Sequence, residues 1–188
     1  MDFVHLHVHS HYSLLDGLVK IKPLVKAAKE RGFKALALTD SAAMYGAIEF
    51  YQACLAAGIK PILGFEAYVA PIHKKENEMQ EETGSHHLTL LAENTVGYHN
   101  LIRLCTLGQT EGLMHGKPRI TREMLSLHHE GIIALSGCIR GEIPIRLREG
   151  QAEAAERVAE AYRDLFGPKK FFLELQDHPG IEGQITVN

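Results

Sequence analysis

The chain has 188 residues, 45% of them hydrophobic and 23% charged, a composition that excludes disordered and fibrous classes and suits one domain with a sizeable core. The formal net charge of -3 leaves no global electrostatic footprint for nucleic acid, so any such contact would be local or supplied by another module. No apolar run approaches the roughly 18 residues of a membrane span and no signal-peptide pattern opens the chain, so the expected location is cytoplasmic; the odd set Cys54, Cys105 and Cys138 reads as reduced thiols.

Residues 3–8 alternate as a strand that closes near Asp16-Gly17. The alternation projects His5, His7 and His9 to one face and Val4, Leu6 and Val8 to the other. Imidazoles gathered on one strand face add little to packing, because buried nitrogens need partners, and neutral imidazole is a common metal ligand. His5 is the one of the three expected to be only structural. A helix carrying Leu24, Val25, Ala27 and Ala28 follows, with Pro23 near its start and Gly32 past its end. Residues 35–39 read as a short buried strand, and 46–57 as a second helix closed by Gly58. Residues 61–64 lead into a further extended run at 66–70. This β-α-β-α-β alternation predicts a parallel sheet wrapped by helices, either a barrel or an open doubly wound sheet.

Residues 71–85 are polar, without an apolar face, and predict an exposed, mobile insertion. Beyond it the pattern predicts a strand at 87–92, a helix around 98–107 and a short helix at 122–127 capped by Thr121. A strand at 132–136 precedes the clearest helix, 151–166, whose apolar stripe is Ala155, Val158, Ala159, Tyr162 and Leu165; a strand at 171–175 follows. A further helix is expected to be under way where the chain reaches Asn188, so the domain reads as truncated.

On this map His7, His9, Asp40, Glu66, Cys138 and His178 fall at the C-terminal ends of predicted strands, where parallel α/β folds build their sites. His87 breaks the rule by preceding its strand. Collection at one rim points to a shared divalent-metal centre, and mixed imidazole, carboxylate and thiolate donors suit Zn²⁺, or Mn²⁺ and Fe²⁺, better than Mg²⁺ alone. The implied chemistry is metal-assisted hydrolysis of a phosphoryl group, with Asp16 and Glu66 helping to offset cationic charge. Each feature also has a plainer reading: Asp16 before Gly17 as a turn residue, Cys138 as a small buried hydrophobe. Cys54 and Cys105 read as core, and His86, His99, His115, His128 and His129 as surface or supporting residues.

The runs His7-Val8-His9-Ser10, Leu15-Asp16-Gly17, Leu38-Thr39-Asp40 and Gly58 to Val69 together carry a family resemblance. So do His87 to Ala92, Ser136-Gly137-Cys138 and Phe172 to His178. The chain resembles the polymerase and histidinol phosphatase (PHP) domain family over essentially its whole length, in the branch that begins bacterial replicative DNA polymerases. The run Gly58 to Val69 separates that branch from stand-alone phosphatases. The resemblance implies a distorted seven-stranded (β/α) barrel, all of 1–188 forming one incomplete PHP domain. The metal ligands it implies are His7, His9, Asp16, Glu66, His87 and Cys138. Asp40 lies in the family's T-D-H motif with Ser41 at the ligand place, which leaves Asp40 a supporting role. The last two family ligands, an Asp and a His, are expected beyond Asn188, with the closing strands.

The resemblance thus implies a metal-dependent phosphoesterase of 3′-5′ exonuclease type within a DNA-directed DNA polymerase. The partners it implies are DNA, through the parent polymerase, and other replicase subunits. An inactive structural module that supports the polymerase core and binds a proofreading exonuclease is the alternative, favoured by Ser41. A small-molecule phosphatase of the histidinol-phosphate type is a third, disfavoured by the Gly58 to Val69 run.

Overall fold

A computed structural model describes residues 3–70, 84–178, 180–181 and 183–188. Most of the polar insertion expected at 71–85 therefore lies outside the described residues.

Helix α1 (Ile21–Glu30) forms because Ile21, Val25 and Ala28 recur on one face, which is buried, with Pro23 tolerated in the first turn. Strand β1 (Ala35–Leu38) and helix α2 (Ala47–Ala57) come next. Gly58 ends α2 at φ 74°, a left-handed value that costs glycine nothing, and Ile59 N–H returns to the Cys54 carbonyl at 2.9 Å. The two extended runs expected at 61–70 are one ten-residue strand, β2 (Lys60–Val69). Strand β3 (His86–Ala92) leads into α3 (Thr95–Thr110), where the Asn94 side chain accepts from Gly97 N–H at 3.0 Å, a cap that stabilises by about 1 kcal/mol.

A hairpin of β4 (Leu113–Met114) and β5 (Lys117–Pro118) was not foreseen; it turns on His115 and Gly116, both at positive φ, as a two-residue hairpin requires. Helix α4 (Arg122–Leu127) has the expected Thr121 cap, accepting from Met124 N–H at 3.1 Å. Strand β6 (Ile132–Leu135) precedes a second unforeseen element, α5 (Glu142–Arg148), whose Pro144 sits in the first turn where its missing N–H costs nothing. Helix α6 (Ala152–Phe166) stands as predicted, strand β7 is only Phe171–Phe172, and α7 (Gln184–Val187) is one turn.

The main sheet has the order β1-β2-β3-β6-β7. Pairs β1/β2 and β6/β7 are parallel, as expected, but β3 runs antiparallel to both β2 and β6, so the uniformly parallel sheet is corrected to a mixed one. A parallel return needs a crossover long enough to span the sheet, usually an amphipathic helix, whereas an antiparallel neighbour does not. The named strands end at β1 on one side and β7 on the other, and these two do not pair, so among the described residues the expected barrel is an open sheet.

Helices cover one sheet face. Leu36, Leu38, Phe50 and Cys54 pack with α1, while Phe65, Ala67, Leu88, Leu90 and Ala134 pack with Leu101, Leu104, Leu125 and Tyr162 from the later helices. Each fully buried large side chain contributes about 1.5–3 kcal/mol. All three cysteines are free thiols, and Cys54 is core as expected, its thiol pushed up to about 11 by burial.

The pairing registers and the two-residue period put Ala37, Ile62, Glu66, Tyr68, His87, Thr89, Leu91 and Leu135 on the opposite face. A small apolar layer of Ala37, Leu91 and Leu135 floors this face, and its polar residues gather beyond the end of β1.

Candidate metal centre

Residues 3–10 do not form the regular strand their alternation predicts. They run beside β1, with Ala37 N–H donating to the His5 carbonyl at 3.0 Å and Thr39 N–H to the Val8 carbonyl at 2.8 Å. Three residues of this segment therefore oppose two of β1, and the chain bends at His7, as in a bulge. The bend explains why three alternating histidines part company. His5 is exposed, its ring edge-on to Phe3 at 4.8 Å and against Phe33 at 5.3 Å. His7 and His9 converge, Nε2 to Nε2, at 3.3 Å.

Asp40 fixes the loop that follows. Its carboxylate, 1% exposed, accepts from Ser10 N–H at 2.6 Å, Ser10 Oγ at 2.9 Å and Ser13 Oγ at 2.7 Å. Ser13 Oγ in turn accepts from Ser41 N–H at 3.0 Å. Asp40 is thus a buried tie between the 8–13 loop and the end of β1. Gly17 closes the same loop: a Cβ there would meet the Ser10 carbonyl oxygen at 1.9 Å, so only glycine permits the approach.

Glu66, 2% exposed, is the hub. Its Oε1 lies 3.2 Å from His7 Nε2 and 2.8 Å from His87 Nδ1, and its Oε2 3.6 Å from His9 Nε2. Cys138 Sγ is 3.7 Å from Glu66 Oε1 and 3.5 Å from His87 Nδ1. Two triads result, His7–His9–Glu66 and Glu66–His87–Cys138, each with donor atoms within 4.8 Å of one another, and they share Glu66.

His87 stops being an exception once strand direction is known. Because β3 is antiparallel to β2 and β6, its start lies at the edge where β1 and β6 end. His87 bridges to Gly141 there, beside the Cys138 loop, and its ring lies 4.9 Å from Tyr68. Asp16 is exposed on the 10–17 loop and outside both triads, though its charge reaches His9. His178 is likewise exposed and outside them.

Three residues at the site, Glu174, Thr89 and Gln176, had no role in the sequence reading. Glu174 Oε1 accepts from His7 Nδ1–H at 2.7 Å, and Thr89 Oγ1–H donates to Glu174 Oε2 at 3.3 Å. Glu174 carried a signal: a carboxylate inside the apolar run Phe171-Phe172-Leu173-Glu174-Leu175 needs a partner if it is buried. Gln176 Nε2 donates to Glu174 Oε1 at 2.6 Å. Ser41, noted only as a missing imidazole, places its Oγ 3.2 Å from His9 Nδ1.

Electrostatics follow from this packing. Burial disfavours the His7 imidazolium, but hydrogen bonds to Glu174 and Glu66 outweigh it and carry the group up to about 9. Burial would raise Glu66, yet His7 and His87 hold its carboxyl well below the usual range. Burial, against the pull of Glu66, keeps His9 below its ordinary value, and burial with the Glu66 charge pushes the Cys138 thiol up to about 12. Two buried carboxylates drawing a proton onto His7 mark a cluster short of positive charge, and its nitrogen, oxygen and sulfur donors fit a divalent ion.

A stability profile follows for chelator-treated protein. His7, raised from 6.5 to about 9, contributes stability in full below pH 6.5 and loses it as pH rises through 9. Glu66, depressed from 4.5, contributes above pH 4.5 and loses it in acid, and His9, also depressed, adds to the acid loss. The thermal midpoint should therefore fall between pH 6.5 and about 9. A midpoint that climbs across that interval contradicts the assignment.

The fold and this donor set describe a mixed α/β domain with two groups of side chains at one sheet edge that could hold a divalent ion. The chain belongs to the PHP domain family, which it matches over residues 5–178. It is 47% identical over its whole length to the DNA polymerase III subunit alpha of Treponema pallidum, 46% identical over 94% of its length to that of Deinococcus radiodurans, and 43% identical over its whole length to that of Thermus aquaticus. The chain spans only 16%, 14% and 16% of those relatives. Among solved structures, a candidate metal-dependent phosphoesterase from Bifidobacterium adolescentis aligns over 98% of this chain and 81% of its own at 15% identity and a TM-score of 0.48, too distant to carry an argument.

Proposed function

We propose that this chain is the PHP domain of a bacterial DNA polymerase III alpha subunit, holding a partial divalent-ion site of phosphoesterase, 3′-5′ exonuclease type. The observation that carries the reading is the pair of triads meeting on one buried carboxylate, Glu66. His7, His9, Glu66, His87 and Cys138 would hold the ions, with Asp16 supplying a further carboxylate from the exposed loop beside His9; zinc suits this mixture best. Bound ions would supply Lewis-acid polarisation of a phosphoryl oxygen and a water acidified toward neutral pH. The residues' own work is to neutralise the cations through Glu66, orient the imidazoles and keep the Cys138 sulfur out of solvent. In the parent protein the fold would be the PHP-type (β/α) barrel, with DNA and other replicase subunits, a proofreading exonuclease among them, as partners.

Ser41 favours a second reading, a domain that binds ions but serves mainly to support the polymerase core. Its hydroxyl is engaged with His9 and is a poor metal ligand beside an imidazole. The test is cleavage of 3′-labelled single-stranded DNA by the zinc-loaded chain. Fewer than three ions and slow, zinc-dependent cleavage that His9→Ala abolishes are expected. Cleavage absent at every zinc concentration supports the second reading. Brisk turnover of histidinol phosphate with none of DNA overturns both.

A further inference from the structure

Glu174 stands behind His7, on the side of the ring away from Glu66. The β6/β7 pairing puts it there: Ser136 N–H donates to the Phe172 carbonyl at 3.0 Å, and Glu174 N–H donates to Ser136 Oγ at 2.8 Å, which continues the ladder one step past β7. The Glu174 side chain is 9% exposed. Among the described residues its carboxylate accepts from His7 Nδ1–H at 2.7 Å and Gln176 Nε2–H at 2.6 Å on Oε1, and from Thr89 Oγ1–H at 3.3 Å on Oε2. The other His7 nitrogen, Nε2, faces Glu66 Oε1 at 3.2 Å and His9 Nε2 at 3.3 Å.

A neutral imidazole carries its proton on one nitrogen and offers the other as donor, and the partner of the protonated nitrogen decides which. We infer that Glu174 is a positioning residue: it holds the Nδ1 proton of His7, locks the ring in place and leaves the Nε2 lone pair aimed at the Glu66 side of the cluster. A carboxylate behind a ligating imidazole also raises the basicity of the ligating nitrogen, and loss of such partners typically costs 10- to 100-fold in metal affinity. Gln176 and Thr89 hold the carboxylate itself, so the orientation is built in before any ion arrives.

This inference rests on the metal reading above, and the experiment separates the two. Zinc affinity of the wild-type protein, Glu174→Ala and Glu174→Gln is measured by competition with a chromophoric chelator. Long-range ¹H–¹⁵N correlation spectra of each zinc-loaded protein report which His7 nitrogen is protonated. The wild type should show a proton on Nδ1 and zinc on Nε2. Glu174→Ala should bind one zinc about 10- to 100-fold more weakly, and Glu174→Gln, which keeps an acceptor oxygen, should fall between. Far-ultraviolet circular dichroism confirms that the variants fold, and the conservative Gln variant keeps the test open if the Ala variant does not. Wild-type protein that takes up no zinc defeats the metal reading and the inference with it. Zinc affinity unchanged in Glu174→Gln and Glu174→Ala, or zinc on His7 Nδ1, overturns the inference alone.

Discussion

Replacing Glu66 with alanine is expected to abolish divalent-ion binding at both triads at once. No other side chain belongs to both, and its oxygens lie 2.8 to 3.6 Å from three imidazoles. Removing His9 or Cys138 should weaken one triad and spare the other, because each belongs to only one. The change also removes a buried carboxylate that partners the His7 and His87 rings, and breaking a buried pair of this kind costs about 3–5 kcal/mol in the ion-free protein. Isothermal titration with zinc reads the first effect and thermal melting of chelated protein the second. Retention of one full-affinity zinc in Glu66→Ala would separate the triads and contradict the shared hub.

The second large effect is expected at Asp40, which touches no donor atom of either triad. Asp40→Ala strands three buried donors, Ser10 N–H, Ser10 Oγ and Ser13 Oγ, that have the carboxylate as a common acceptor. Hydrogen bonds to a charged group contribute about 1.5–3 kcal/mol each, with losses that overlap, so a destabilisation of about 3–5 kcal/mol is expected. For a domain of this size that lowers the melting temperature by about 10 °C. Zinc should still bind, more weakly, because His9 loses a fixed backbone rather than its ring. Ser13→Ala removes one of the three contacts, and with it the acceptor of Ser41 N–H, and should cost about 1.5–3 kcal/mol. A melting temperature unchanged in Asp40→Ala contradicts the tie.

Much of the candidate site was legible because residue types able to hold a metal carry their own signal. Two imidazoles on alternate residues, a carboxylate in the long apolar strand and a cysteine after a buried strand are costly to leave unpartnered. The elements fared equally well where local chemistry decides them: the Thr121 cap, the Gly58 terminus and the apolar stripe of α6 all stand where periodicity and capping put them.

The departures at the site share one cause, which is that pairing between distant segments leaves little trace in local pattern. Strand direction made His87 look misplaced, and only the antiparallel course of β3 brings it to the rim. The three-against-two register beside β1 separated His5 from its neighbours, where alternation alone would keep all three together. Glu174 meets His7 across 167 residues through the β6/β7 pairing, and the apolar run around Glu174 calls for a partner without naming one. Helix α5 was hidden by Pro144, which breaks a helix interior but not a first turn.

Elemental analysis of the protein after zinc loading and desalting tests the central claim most directly. Two equivalents of zinc per chain are expected in the wild type, one in His9→Ala and in Cys138→Ser, and none in Glu66→Ala. Zinc at the buffer level in the wild type, or a count that Glu66→Ala leaves unchanged, would contradict it.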